Sequence, residues 1–416
     1  MGSKALFWAI PAYLFVGLSA LWYMATILLA ALYQRVLYPR WRRRHCDPAY
    51  RPRCSLIVPC KGTPRHFREN LLAFLQQDYA PYEVIFTVEA ESDPAVPVIR
   101  AVMEARDVRP GEVGRTSRVA LVVAGMALTC AQKVHNQLAA LQQVNAPEVL
   151  VFADSDIAPA PGWLRQLVLP LSEPSVAIAS GFYWLQPQAA THSLPTLGEL
   201  AHCQMNRVMY MLFMASMPWG GFGFGVWGGA MALRKEDFDA LGIASKWQES
   251  VVDDMSLAEI AVRHKLRKVL VPQCITLSDD LSLTWAETVE WFVRQLMFVK
   301  IHIWGLWVSL VAFCCAYVAV WALLPISLLG VLLCQGSFWE WGGGAVLILV
   351  AGEMLGVLAF ALLGPSPDLL LDTLLAPLLR CAQWVGLAKT LNAWTVNWSG
   401  VRYTIGRRGQ VVRIER

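Results

Sequence analysis

A stretch of 33 residues, 303–335, contains no charged side chain. No other feature limits the fold as much, because about 20 apolar residues let a helix cross a bilayer with its backbone hydrogen bonds satisfied internally. Residues 6–32 are also uncharged, and 345–363 carry only Glu353. The expectation is an integral multi-pass membrane protein with one N-terminal and about two C-terminal transmembrane helices. The 56% hydrophobic content excludes an ordinary soluble enzyme, while the charged stretch between the first two runs leaves room for a sizeable polar domain. A removable signal peptide is disfavoured, since little charge precedes the first run and no small-residue cleavage site closes it.

Charge sets the expected orientation. The segment "YQRVLYPRWRRRHCDPAYRPR" after the first run holds seven Arg and one Asp, whereas only Lys4 precedes that run. The positive-inside rule puts the polar domain in the cytosol. Two further crossings return the C-terminus, with Arg402, Arg407, Arg408, Arg413 and Arg416, to the same side. A bacterial inner membrane or a Golgi-type membrane would suit. The basic residues cluster beside the spans and the net charge is only +4, which fits anionic headgroups and not nucleic acid. Ten cysteines without a C-x-x-C spacing suggest neither a disulfide framework nor a zinc site.

Within the polar part, "CSLIVPC" (54–60), "YEVIFTVEA" (82–90), "EVLVFADSD" (148–156) and "SVAIASGFYW" (175–184) read as buried strands. Helical patterns at 65–77 and 131–144 lie between them, so the expected class is α/β with a mostly parallel sheet and flanking helices. The expected segmentation is a transmembrane helix at 1–34, a basic juxtamembrane linker at 35–51 and the α/β domain at 52–285. An interfacial amphipathic segment follows at 286–302, then two transmembrane helices within 303–365. Residues 366–416 read as an interfacial helix, whose Asp368, Asp372, Arg380 and Lys389 argue against a fourth span, and a cytosolic tail ending in a small hairpin.

Ligands of such sheets bind at the carboxyl ends of the strands, which directs attention to Lys61, Asp93, Asp154 and Asp156. In an extended backbone Asp154 and Asp156 face the same way, and paired hard oxygens suit Mg2+ or Mn2+; a turn or helix cap is the simpler alternative. Asp253 and Asp254 stand at the mouth of a helix, where carboxylates serve as caps or, beside an acceptor hydroxyl, as a general base. The glycine-rich stretch at 218–237 lacks the Gly-Lys-Ser/Thr ending of a P-loop. Lys61 and Lys133 are candidate phosphate contacts or plain surface lysines. His192 and His202 read as structural, and Asp279 and Asp280 as turn caps.

The order of these pieces is more specific than any one of them. The stretches "PCKGTPRHFRENLLAFLQQDYAPYEVIFTVEAESDPA" (59–95), "QKVHNQL" (132–138), "FADSDI" (152–157), "GGAMALRKED" (228–237) and "VVDDMSLAEIA" (251–261) resemble the ceramide glucosyltransferase family, of the family 2/family 21 type with a GT-A fold. The resemblance implies an inverting, non-processive transfer of a hexose from a UDP-sugar to the hydroxyl of a membrane lipid. It implies Asp254 as the catalytic base and Asp156 as the metal ligand. It also implies a donor site of Lys61, Asp93, Lys133, Asp154 and Arg294.

One signature departs from the family. In "EWFVRQLMFVKIH" Met297 and Phe298 stand where an Arg and a Trp are expected, with Lys300 and His302 as possible replacements for the lost charge. The competing readings are a transferase acting on a hopanoid or diacylglycerol, a processive synthase, which would need more spans, and a degenerate lipid-binding relative.

Overall fold

The computed structural model describes residues 2–108, 116–186, 194–219, 225–278, 281, 284–334, 338, 342–407 and 409–416. His192, Asp279 and Asp280 lie outside these. The chain divides into two compact units. One gathers residues 32–185, 212–281 and 393–416, and the other 1–31, 186–211 and 282–392.

The first unit is built on seven strands: β1 Cys54–Pro59, β2 Tyr82–Val88, β3 Thr116–Val123, β4 Val149–Ala153, β5 Val176–Leu185, β6 Ala230–Arg234 and β7 Arg267–Ser278. Their order is β3-β2-β1-β4-β6-β5-β7. Neighbours pair in parallel except β6, which runs antiparallel to both β4 and β5. Every residue of β2 and β4 is buried, as expected of central strands covered on both faces. Helices Phe67–Leu75, Ala95–Val108 and Gln132–Leu141 make the crossovers. The mostly parallel α/β sheet and the four strands read from sequence are therefore present.

The last 24 residues depart from expectation. They form a three-stranded antiparallel sheet, β8 Thr395–Trp398, β9 Val401–Ile405 and β10 Val411–Glu415, in place of a hairpin. They also belong to the sheet-bearing unit and are no detached tail. The physical reason is a buried inner face, with Val396, Val401, Tyr403 and Ile405 all at most 5% exposed.

The second unit is helical. All but the last residue of Gly2–Leu32, together with Trp304–Cys334, Gly343–Ala359 and Leu369–Thr390, lie in it, and among the described residues four helices are long and apolar enough to cross a membrane. Val16, Tyr317, Val320, Ala345, Val346 and Leu349 form a shared core among the first three. Two of the charges that set the fourth helix apart in sequence are paired, while Lys389 is exposed. Asp372 is fully buried against Arg207, and Arg380 Nε lies 3.2 Å from Glu353 Oε1. Helix Trp285–His302 opens with a capping box, in which Thr284 and Glu287 cap each other's backbone.

Candidate active site

The carboxyl ends of β1, β2 and β4 share one edge of the parallel sheet, and six of the seven residues singled out from sequence lie in this unit. Asp93 follows β2. Its Oδ1 accepts from the amides of Gly62 (2.9 Å) and Ala95 (2.8 Å), which ties the loop after β1 to the helix after β2. Gly62 has φ +62°, a conformation that favours glycine. Lys61, beside it, donates to the carbonyl of Ser399 at 2.7 Å.

The Asp-x-Asp leaves the strand before its first carboxylate, since β4 ends at Ala153 and a turn takes in Ser155 and Asp156. The alternation argument made from sequence therefore does not govern the pair. Asp154 Oδ1 meets Lys133 Nζ at 2.7 Å. Asp156 is exposed and lines a cavity of about 200 Å³ with His66, Glu69, Asn70 and Ser278. Among the described residues no three His, Cys, Asp or Glu side chains gather to hold a metal ion. Hard carboxylate oxygens in so sparse a set suit Mg2+ or Mn2+, which keep most of their ligands as water and substrate phosphate. An exposed carboxylate such as Asp156 fits an ion that would arrive with a diphosphate and keep most of its ligands as water and phosphate.

Lys133 is the hub. Besides Asp154 it reaches Asp253 Oδ2 at 3.1 Å, and Gln137, one helical turn on, donates to that same oxygen at 2.7 Å. Asp253 is 1% exposed and its Oδ1 has no hydrogen-bond partner among the described residues. Burial lowers the proton affinity of Lys133, but Asp154, Asp253 and Asp254 outweigh it and hold the ammonium charged. Neither the hub role of Lys133 nor the parts of Gln137 and Asp253 was read from sequence. The i, i+4 spacing of Lys133 and Gln137 on a helix opening at the sheet edge was the available signal.

Asp254 is the first residue of helix Asp254–Arg263. Its Oδ2 accepts from the Gly228 amide at 2.8 Å and its Oδ1 from the Met255 amide at 2.6 Å. Burial, then the neighbouring Asp253 carboxylate, raise its pKa to about 7, against the opposing pull of Lys133 and the two amides. A carboxylate so poised exchanges a proton near neutral pH, as a general base must.

Gly228 makes this approach possible. A Cβ there would stand 2.8 and 2.9 Å from the Asp253 oxygens and 3.0 Å from Lys133 Nζ. Gly228→Ala is expected to push the ion pair apart, costing about 1–3 kcal/mol as other overpacking changes do. Thermal melts and turnover of the purified variant should both fall, and an unchanged melt with unchanged turnover would contradict the geometry.

The seventh residue, Arg294, belongs to the helical unit, where its guanidinium adds to burial in pushing His202 down to about 3. His202 is buried, with its ring centroid 4.2 Å from that of Trp291, the structural role expected of it. Met297 and Phe298 are buried too. Lys300 does not stand in for the missing Arg: its Nζ donates to the carbonyls of Thr390 (2.6 Å) and Leu391 (3.2 Å), at the negative end of helix Leu369–Thr390.

A mostly parallel α/β sheet thus brings an Asp-x-Asp beyond β4 and a proton-poised aspartate at a helix start to one edge. The model of glycosyl transferase family 21 matches residues 18–411. The chain belongs to that family. This family 21 glycosyltransferase has the GT-A-like sheet and the membrane-length helices that the sequence suggested. None of the curated sequences compared with it matches. Solved structures similar at low identity include two glycosyltransferases. A mannosyltransferase from Pyrobaculum calidifontis, in complex with GDP-Man and Mn2+, gives a TM-score of 0.47 at 17% identity, over 91% of this chain and 99% of its own. Glucosyl-3-phosphoglycerate synthase from Mycobacterium tuberculosis, in complex with Mn2+, UDP-Glc and phosphoglyceric acid, gives 0.38 at 15%, over 60% and 79%.

Proposed function

We propose that this glycosyltransferase moves a hexose, glucose first among candidates, from a UDP-sugar to the hydroxyl of a membrane lipid, ceramide first among acceptors. The observation that carries the reading is Asp254, raised to about 7 beside the Lys133 cluster at the sheet's carboxyl edge. Asp254 takes the proton from the acceptor hydroxyl as that oxygen attacks the anomeric carbon. The bond from the anomeric carbon to the diphosphate breaks, its electrons leave with UDP, and the configuration inverts from α to β. Asp93 and Lys61 are assigned to the nucleotide, Asp154 and Lys133 to the ribose and phosphates, and Arg294 to the departing diphosphate. Asp156 would hold a divalent ion, which would supply charge neutralisation at the diphosphate.

Four membrane-length helices support an acceptor drawn from the bilayer. Residues 393–416 share a unit with 32–185 and 212–281, which supports an even number of crossings between them. Two crossings by Trp304–Cys334 and Gly343–Ala359 satisfy that parity, with Leu369–Thr390 returning without a full crossing. The arginine-rich segment 35–53 supports the cytosolic side for the catalytic unit.

The test is to incubate the purified chain in vesicles with a panel of UDP-sugars and lipids and to identify the products by mass spectrometry and the anomeric linkage by NMR. A β-linked glucosylceramide is expected. A product on diacylglycerol or a hopanoid alone would redirect the acceptor, and an α-linked product would overturn the inverting mechanism.

A further inference from the structure

Helix Gln132–Leu141 begins without a side-chain cap of its own. Its N-cap residue is Ala131, whose side chain has no oxygen to offer the first amides. The missing acceptor comes from 271 residues away: the Gln132 amide donates to the Tyr403 hydroxyl at 3.2 Å, with Tyr403 2% exposed in β9. Arg416 secures the same turn. It donates to Gln132 Oε1 at 2.9 Å and to the Ala127 carbonyl at 3.1 Å, and its Nε lies 3.5 Å from Glu89 Oε1 after β2.

Two further anchors join the C-terminal sheet to this edge. The β8–β9 turn accepts Lys61 on the carbonyl of Ser399. The Val411 amide donates to the Glu249 carbonyl at 2.8 Å, just ahead of Asp253 and Asp254. The contacts thus run from the loop after β1, past β2 and the start of the Lys133 helix, to the approach of the candidate base. A tail that merely covered apolar surface would have no cause to meet these particular loops.

We propose that the C-terminal sheet is a wall of the donor site, in which Tyr403 and Arg416 are positioning residues that fix the first turn of helix Gln132–Leu141 and so present Lys133 to Asp154 and Asp253. They act through Lys133 and touch no substrate. The inference rests on the reading of Lys133 as a donor-site residue.

The experiment uses the full chain with Tyr403→Phe and Arg416→Gln combined, Arg416→Lys as the conservative variant, and Arg413→Ala as control, Arg413 being an exposed β10 residue paired with Glu415. Amide hydrogen exchange at Gln132–Asn136 should rise about tenfold in the combined variant, with the melting temperature nearly unchanged. The apparent affinity for UDP with Mn2+, read by calorimetry, should fall about tenfold, the size expected for losing a few hydrogen bonds at one remove. Arg416→Lys should recover part of both effects, and Arg413→Ala should show neither. Unchanged exchange at Gln132–Asn136 overturns the proposal, as does faster exchange with full UDP affinity. A wild type that binds no UDP strikes the reading of the site itself, and the exchange result then decides for or against the coupling.

Discussion

Replacing Lys133 by Met is expected to lower the apparent melting temperature on the order of 10 °C and to abolish sugar transfer. The reason is the charge it leaves behind. Asp253 is 1% exposed and, among the described residues, its carboxylate is met by Lys133 at 3.1 Å and Gln137 at 2.7 Å, while Asp154 loses its 2.7 Å partner. Removing one member of a buried ion pair costs about 3–5 kcal/mol, mostly the burden of the orphaned charge. The double variant Lys133→Met with Asp253→Asn should therefore melt higher than the single one, since it removes the orphan. Activity should not return with it, because Asp154 still lacks its cation. A single variant that melts within a degree of the wild type would show that the cluster is not a unit.

Asp254→Asn should reduce kcat by about 10²–10⁴-fold, the usual worth of a general base. Asparagine keeps the shape and its one oxygen can still accept from the Gly228 amide, while the Met255 amide loses its acceptor, so a modest loss of stability is expected and the affinity for UDP should survive. The pH profile gives a second reading. Asp254 must lose its proton to act, so wild-type kcat/KM should rise with pH through about 7 and then level. The stability effect has the opposite sign. The folded carboxyl binds its proton more tightly than an unfolded one, whose pKa lies near 3.8. Stability from this group is complete below that value and is lost as pH rises through about 7. Activity and stability should thus move in opposite directions across the interval between about 4 and 7. Full activity in the Asn variant would remove Asp254 from the mechanism.

The sheet was legible where strands are central and apolar on both faces, as β2 and β4 are. It was not legible in β7, where Pro272 breaks the pattern. The strand tolerates it because it lies at the sheet's edge, and its register against β5 shifts between Ser180 and Phe182, across which β7 runs from Leu270 to Ile275. β6 escaped notice because its five residues follow a glycine-rich stretch that reads as loop.

The site divides in the same way. Asp154, Asp156 and Asp254 stood out through short motifs and a family resemblance. The partnership of Lys133 with Asp253 is written nowhere locally, since 120 positions separate them and only the fold brings them to 3.1 Å. Tyr403 is farther still from the helix it caps, and its inward face showed only as alternation along β9.

Transfer of sugar from a nucleotide to a lipid is the outcome predicted for this pole. It is tested most directly by supplying radiolabelled UDP-glucose and ceramide-containing vesicles to the purified protein and counting label in the lipid phase. Label should accumulate with Mn2+ or Mg2+, stop with EDTA, and fail to appear with Asp156→Ala or Asp254→Asn. Label that accumulates equally with EDTA and in both variants would contradict the account.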